Sequence, residues 1–321
     1  MIIKPHSRQI YHQSLEALDR RTPDFHHLKE AVRKELINTN TGIKGEREIS
    51  YPLSFLPPTD YRILHNLRLP SHDSHFETDS LLMNQQFFTQ IEVKNWYGTV
   101  YFDGEEQVIR VGDDGKEEGF PSPILQVKLQ RDRFRLLLNN LGLPRIPLLY
   151  FVVFSFPSTI LKPLYPEKPI PKEVIHANAL FHKMKQLSRE FKTPVIDRPT
   201  LDLVSQQLLQ AHVPPDKNVM KRFGVNYSDL TRGVICINCG VAPMVRFHQK
   251  WYCGRCNHYS PDAHIAALND YYLLVNDTIS NQQAREFLAV DSHHLVRRLL
   301  ANAGYKFIGY NKARVYKLEL L

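Results

Sequence analysis

Three ionisable residues occur in two neighbouring segments that have the composition of strands. Glu92 and Lys94 are two positions apart in an apolar segment that ends before Gly98, and Asp79 lies in the preceding segment. Side chains at positions i and i+2 of a strand share one face, so Glu92 and Lys94 are predicted to point the same way. A short turn at residues 84–86 would pair the two strands, and the three groups could then meet at one end of a sheet.

Two carboxylates beside a lysine have the chemistry that phosphodiester hydrolysis requires. Mg²⁺ prefers oxygen ligands, and one or two carboxylates are enough to hold it; Mn²⁺ is an alternative ion. The bound metal lowers the pKa of a coordinated water and neutralises charge on the phosphate, and a lysine can orient that water. A Glu-x-Lys pair also occurs as a solvated salt bridge on ordinary strands, and this alternative stays open.

All four cysteines lie in two C-x-x-C pairs, Cys236 with Cys239 and Cys253 with Cys256. Four thiolates close a tetrahedral Zn²⁺ shell and leave no position for water, so a zinc ion here would be structural. A redox pair is the alternative, but two pairs at this spacing favour metal. The 13 residues between the pairs, 240–252, suit a hairpin. The module resembles a zinc ribbon and is similar to topoisomerase-type zinc fingers.

The elements that must position the carboxylates follow an α/β pattern. Strands are predicted at 61–67, 77–83, 87–94 and 148–154, with a hairpin across 99–111, an edge strand at 174–175 and helices at 123–138, 177–191 and 198–211. Residues 42–48 are predicted to be a loop that opens another helix, and residues 157–171, which are rich in proline, to be a loop. This order indicates an α/β fold with a mixed central sheet flanked by helices.

Five positions, occurring in a fixed order, resemble the nuclease-related domain (NERD) family. They are Glu46 after Gly45, Asp79 after Thr78, Glu92 and Lys94 in Ile91-Glu92-Val93-Lys94-Asn95, and Gln126 in Pro123-Ile124-Leu125-Gln126-Val127. The family is grouped with the PD-(D/E)xK nucleases and is similar to their archaeal Holliday-junction-resolvase branch. The resemblance covers roughly residues 42–156.

This resemblance implies a restriction-endonuclease-like fold and a role for each of the five residues. Asp79 and Glu92 would bind Mg²⁺, and Lys94 would be the catalytic lysine. Glu46 would support the metal site from a helix, and Gln126 would face it from another helix. Thr78 stands where the superfamily motif has proline.

The C-terminal residues 260–321 are predicted to form three helices and a basic hairpin, the order of a winged helix-turn-helix. The helices are predicted at 260–275, 278–288 and 292–303, and the hairpin at 305–318. The candidate nucleic-acid contacts in this module are Arg297, Arg298, Lys312 and Arg314. The alternative is a small helical cap whose basic face is only solvated.

Cations alternate with aromatic residues in the ribbon, a composition that suits phosphate binding and base stacking. The candidate contacts there are Arg246, Lys250 and Arg255. The same aromatic residues could instead pack the small core of the ribbon.

Composition narrows the class of partner. The 321 residues have a formal net charge of +8 and an isoelectric point near 9.2, which favours a polyanion, nucleic acid and most simply DNA. The N-terminus has no secretory apolar segment, and the longest apolar run, 146–156, is shorter than the roughly 20 residues of a membrane span. No membrane partner and a cytoplasmic location are therefore predicted, and the oligomeric state stays open.

The sequence predicts five segments and one preferred function. The segments are an N-terminal helical segment (1–40), a NERD nuclease-like domain (41–157), a helical extension and linker (158–233), a zinc ribbon (234–259) and a helical or winged-helix module (260–321). The preferred function is a metal-dependent nuclease acting on DNA. The alternatives are a non-catalytic nucleic-acid-binding protein that uses the ribbon and the helix-turn-helix, and a scaffold that uses the ribbon for protein contacts.

Overall fold

The structure is a computed structural model that describes residues 1–7, 9–72, 74–310 and 313–321. The chain divides into two compact units, each discontinuous in sequence: the first comprises 1–7 and 40–214, and the second comprises 8–39 and 215–321. These units combine segments that the sequence analysis separated, and the division into five segments stays a prediction.

The first unit contains the mixed sheet that the sequence predicts. Its six strands lie in the order β1 (Ile2–Lys4), β2 (Arg62–Ser71), β3 (Ser74–Met83), β4 (Phe88–Lys94), β8 (Leu148–Phe154) and β10 (Val174–His176). Strand β3 is antiparallel to both of its neighbours, β2 and β4, whereas β4, β8 and β10 run parallel to one another and β1 runs parallel to β2. The predicted mixed α/β class is confirmed.

Helices cover both faces of this sheet because its strands alternate apolar residues between the two faces. One face packs against α4 (Pro123–Asn140) and α6 (Arg198–Gln210), and the other packs against α3 (Ser50–Leu53) and α5 (Leu180–Glu190). The carboxylate-bearing strands β3 and β4 are therefore fixed from both sides.

A second sheet of the first unit includes the predicted hairpin. Its strands lie in the order β7 (Glu117–Pro121), β6 (Gln107–Val111), β5 (Thr99–Asp103) and β9 (Ile160–Pro163). The prediction that residues 157–171 form only a loop was wrong, since β9 pairs in parallel with β5. The edge strands β7 and β9 each end on a proline, a residue that an edge position tolerates.

The second unit contains the ribbon, the C-terminal module and the N-terminal helix. Its elements are α1 (Ile10–Arg21), the first part of α2 (Lys29–Glu48), α7 (Val219–Phe223), β11 (Val245–Phe247), β12 (Lys250–Tyr252), β13 (Tyr259–Ser260), α8 (Ala263–Leu274), β14 (Thr278–Ser280), α9 (Asn281–Leu288), α10 (His293–Asn302), β15 (Phe307–Ile308) and β16 (Val315–Lys317). Strands β14, β16 and β15 pair in that order. This sequence of helices and strands has the topology of a winged helix.

One predicted boundary in this module was wrong. Residues Thr278–Ser280 do not begin a helix; they form β14, which pairs with β16. The β-branched Thr278 and Ile279 suit a strand, and the Ser280 side chain accepts a hydrogen bond from the Gln283 backbone N–H as the N-cap of α9.

A buried ion cluster explains why α1 belongs to the second unit. Arg21 is fully buried and lies 2.8 Å from an Asp270 carboxylate oxygen, and Arg20 contacts the other oxygen at 2.5 Å. Arg21 also donates to the backbone carbonyls of Thr231 and Gly233. Breaking one partner of such a pair leaves a buried charge without compensation, so the cluster fixes where α1 packs.

None of the helices within residues 1–7, 9–72, 74–310 and 313–321 has both the length and the apolar character needed to cross a membrane.

Candidate active site and zinc site

The C-terminal end of β4 holds a tight group of three polar side chains. Glu92 is 4% exposed, and its Oε1 accepts hydrogen bonds from Lys94 Nζ at 2.7 Å and from Gln126 Nε2 at 2.8 Å. The Gln126 carbonyl oxygen accepts from Lys94 Nζ at 3.1 Å. An amide can donate to a carboxylate and accept from an ammonium at once, so Gln126 braces both members of the ion pair.

Helix α4 brings Gln126 to this position. Ser122 caps the helix by accepting from the backbone N–H groups of Ile124 and Leu125, and Pro123 occupies its first turn. One helical turn after Gln126, Gln130 donates to the second Glu92 oxygen at 3.2 Å. Both oxygens of the buried Glu92 carboxylate therefore have partners.

Asp79 lies on the same sheet face as Glu92. Asp79, Leu81 and Met83 occupy every second position of β3 and therefore point to the same face. Leu81 and Met83 pack against Phe88 and the α4 side chains. Phe88 and Glu92 share that face because both occupy every second position of β4. The regular β3–β4 pairing begins at Ser80 with Ile91. Beyond it, Asp79 Oδ2 accepts a hydrogen bond from the Val93 backbone N–H at 2.6 Å. The structure thus brings Asp79, Glu92 and Lys94 together on one face of the sheet.

The surroundings disfavour the charged form of Asp79. Burial raises its pKa well above the usual value, and repulsion from Glu92 and Glu46 raises it further. The hydrogen bond from Val93 and the charge of Lys94 act in the opposite direction. A divalent cation would compensate the same crowding of negative charge.

Glu46 reaches the site from α2, whose course corrects one prediction. Residues 42–48 are helical, not a loop, because α2 continues to Glu48 without a break at Gly42 or Gly45. A Cβ on Gly45 would lie 2.4 Å from Asn95 Cβ and 2.7 Å from Ser155 Oγ. Glycine therefore lets the helix approach the ends of β4 and β8 closely, which positions Glu46.

Asn66 holds the Glu46 side chain. It donates from Nδ2 to Glu46 Oε2, and its Oδ1 lies 3.1 Å from His6 Nδ1. Asn66 has a φ of +50° and interrupts the β2–β3 pairing at the position opposite Asp79. Burial raises the pKa of Glu46, and repulsion from Glu92 adds to this effect.

The three carboxylates do not form one compact trio. Over the described ranges of the chain, the four cysteines are the single group of three or more candidate ligands whose atoms lie within 4.8 Å of one another. Asp79 and Glu92 as a pair are sufficient for an ion that keeps most of its water ligands, as Mg²⁺ does.

A comparison with known families decides which kind of domain this is. Residues 41–155 match the family model of the nuclease-related domain. The expected family resemblance is confirmed over these residues, and a nuclease-related function follows at that level of detail. No curated protein and no solved structure matches the chain.

Several polar neighbours of the carboxylates were missed by sequence reasoning. Gln130 lies four residues after Gln126, so helical spacing could have identified it. Asn66 and His6 come from β2 and from the segment after β1, and no spacing rule connects either with Glu46.

Downstream of the nuclease-related domain, the four cysteines converge as predicted. The sulfur atoms of Cys236 and Cys256 are 3.6 Å apart, and those of Cys239 and Cys253 are 3.5 Å apart. Zinc–sulfur bonds of about 2.3 Å in a tetrahedron separate sulfurs by about 3.8 Å. The cluster is compatible with a zinc site.

Two similar turns build this cluster. The Gly240 backbone N–H donates to the Cys236 carbonyl at 2.8 Å, and the Asn257 N–H donates to the Cys253 carbonyl at 2.9 Å. Gly240 and Asn257 both have positive φ, +72° and +55°, a conformation favoured by glycine and tolerated by asparagine. A hydrogen bond with the Asn238 side chain lowers the pKa of Cys256.

The predicted ribbon cations differ in exposure. Lys250 and Arg255 are exposed, whereas Arg246 is half-buried with its guanidinium 5.3 Å from the centre of the Trp251 ring. Trp251 itself is buried and donates to His264 Nδ1 at 3.1 Å. One aromatic residue therefore packs the core of the ribbon, as the alternative interpretation proposed.

In the winged-helix module, Arg297 and Arg298 are exposed on α10. Arg314 is half-buried, with its guanidinium 4.2 Å from the centre of the Phe307 ring. Lys312, the remaining candidate, lies outside the described residues.

Proposed function

We propose that the nuclease-related domain hydrolyses phosphodiester bonds of DNA with a Mg²⁺ or Mn²⁺ ion bound by Asp79 and Glu92. The observation that supports this most strongly is the placement of Asp79, Glu92 and Lys94 on one sheet face, with the Glu92–Lys94 contact at 2.7 Å. The raised pKa of Asp79 is a second support, because crowded carboxylates at the end of a strand are a common feature of functional sites.

The side chains divide the work as follows. When bound, the ion supplies charge neutralisation and a coordinated water of lowered pKa. Lys94 has three N–H donors, two of which point at Glu92 and Gln126, and the third can donate to the attacking water or a phosphate oxygen. Gln126 and Gln130 keep Glu92 oriented. Glu46 strengthens the attraction of the site for cations.

In this proposal the second unit holds the nucleic acid. Zn²⁺ bound by the four cysteines is structural because their shell is closed. The exposed cations Lys250, Arg255, Arg297 and Arg298 contact phosphates, with Arg246, Lys312 and Arg314 as further candidates.

Cleavage assays with plasmid and with short duplexes test the enzymatic proposal. The wild type should produce fragments only with added Mg²⁺ or Mn²⁺, and Glu92→Ala or Lys94→Ala should lower the rate by about 10²–10³. Lys168→Ala is the matched control, since it breaks an exposed ion pair with Asp103 in the same unit and should leave the rate unchanged.

Two outcomes would reject hydrolysis. One is a purified, zinc-loaded protein that cleaves nothing with either metal. The other is a Glu92 or Lys94 variant that cleaves as fast as the wild type. Salt-dependent binding without products would then favour a protein that binds nucleic acid and does not cut it.

A further inference from the structure

The ribbon sheet presents an aromatic face to solvent. The pairing of Val245 with Tyr252 and of Tyr252 with Tyr259 places these residues side by side, and Phe247 follows on the same face. The Tyr252 and Tyr259 rings are 4.8 Å apart between centres, and the Phe247 and Tyr252 rings are 6.3 Å apart. Phe247 and Tyr259 are each 49% exposed.

The opposite face of the same sheet already has its partner. Trp251 and Ser260 are buried there, and Trp251 donates to His264 of α8. The core of the ribbon therefore contains Trp251, whereas Phe247 and Tyr259 remain exposed on the other face.

The charged residues of the ribbon indicate which kind of ligand binds the aromatic face. Residues 234–261 include Arg246, Lys250 and Arg255 and not one aspartate or glutamate. Lys250 is cross-strand partner of Phe247 on the aromatic face. Adjacent exposed rings flanked by cations suit unpaired bases and their phosphates, since each base has a π-face and each phosphate a negative charge. A paired duplex hides those base faces.

A second basic surface adjoins the ribbon. On α10 the residues His293, His294, Arg297 and Arg298 are all exposed along one side, and residues 292–318 contain six lysines and arginines without a carboxylate. The ribbon and α10 share one hydrophobic core, to which the ribbon contributes Trp251 and α10 contributes Val296 and Leu299. A helix of this kind, in a winged helix, suits the groove of a duplex.

We infer that the second unit binds nucleic acid at a junction, with an unpaired strand on the aromatic face of Phe247, Tyr252 and Tyr259 and the adjoining duplex on α10. This inference rests on the proposed function and names its substrate class. Substrates with a single-stranded extension beside a duplex should bind more tightly than either part alone, because two linked contacts act together.

Fluorescence anisotropy with the full-length, zinc-loaded chain tests the inference, without added Mg²⁺ so that cleavage plays no part. The probes are a thymidine single strand, a blunt duplex, and the same duplex with a thymidine extension. The wild type should bind the extended duplex at least about tenfold more tightly than the blunt duplex. Phe247→Ala with Tyr259→Ala should abolish that preference and leave blunt-duplex affinity unchanged.

Two further variants make the result decisive. Phe247→Leu with Tyr259→Leu keeps apolar bulk but removes the rings, and it should behave like the alanine pair while retaining zinc. Phe25→Ala removes an aromatic residue that is 91% exposed elsewhere in the same unit and should change nothing.

Equal affinity for extended and blunt duplexes, or an unchanged preference in the ring-less variants, would overturn the inference while leaving nucleic-acid cleavage intact. Failure to bind any probe would instead count against the proposed function as a whole.

Discussion

The two groups of candidate metal ligands in this protein are assembled in opposite ways. The four thiolates come from 21 consecutive residues, 236–256, and two similar turns bring their sulfur atoms into contact. The carboxylates of Glu46, Asp79 and Glu92 come from a helix and two strands, and burial together with repulsion among them raises the pKa of Asp79 and Glu46.

This difference teaches what each ion would contribute. Local backbone turns define the cysteine cluster, so the free energy of zinc binding is also free energy of folding for the ribbon. The carboxylate cluster is fixed by the packed sheet and by hydrogen bonds from Lys94, Gln126 and Asn66. Its ion is therefore expected to be exchangeable and to matter for chemistry more than for folding.

The largest effect is expected on removal of zinc. Structural zinc sites contribute on the order of 10–16 kcal/mol, so Cys236→Ser with Cys253→Ser should unfold residues 234–260. The sheet of the first unit should stay folded. Elemental analysis should find one zinc per wild-type chain, and hydrogen exchange should show loss of protection in the ribbon but not in the sheet of the first unit. If the ribbon stayed folded without zinc, its ion would not be needed for folding, and the two sites would not differ in this respect.

A smaller effect is expected from the divalent ion. The folded-state pKa of Asp79 is raised, so its favourable contribution is present at low pH and is lost as pH rises through that pKa. Without divalent ions, Asp79→Asn should therefore raise the melting temperature at pH 8 but not at low pH. Mg²⁺ at about 100 times its dissociation constant should stabilise the wild type by about 2.7 kcal/mol.

The same scans give the control for that prediction. Asp79→Asn should lose the stabilisation by Mg²⁺ while keeping its acceptor for the Val93 N–H. Equal stabilisation of both proteins by Mg²⁺ would place the ion elsewhere.

The two glycines of α2 allow a matched test of how Glu46 is positioned. Gly45→Ala would place a methyl group 2.4 Å from Asn95 Cβ and should destabilise the first unit by about 1–3 kcal/mol. Gly42 has no atom within 4 Å of its would-be Cβ, so Gly42→Ala should stabilise the helix by about 0.5–1 kcal/mol. Chemical denaturation measures both changes, and equal effects would contradict the close approach at Gly45.

The smallest expected effect concerns the basic face of α10. Each phosphate contact adds about 1 to the slope of log affinity against log salt. Arg297→Ala with Arg298→Ala should therefore lower that slope by about 2 for a duplex probe. A slope equal to that of the wild type would leave these arginines as solvated surface residues.

The sequence predicted the residues of the cysteine site more completely than those of the carboxylate site, and the reason is physical. The cysteine spacing encodes a local structure, so the cluster was predictable in full. Strand periodicity places Glu92 and Lys94 on one face, the short turn between strands places Asp79 beside them, and the family resemblance supplied Glu46 and Gln126. Asn66 was not predictable because its role depends on a left-handed residue inside a strand.

The division of the chain into two units could not be predicted from the sequence for a similar reason. The helix α1 belongs with the C-terminal part of the chain through Arg21 and Asp270, which are 249 positions apart. No local pattern marks two residues that become ion partners only when the core forms around them.

The most direct test of the carboxylate site is a crystal structure of the full chain soaked in Mn²⁺, with anomalous scattering to locate the ion. We predict a peak bound by the carboxylates of Asp79 and Glu92 with the Lys94 ammonium close by, and its loss in Asp79→Asn. A peak that persists in that variant, or an ion bound only away from β3 and β4, would contradict the account.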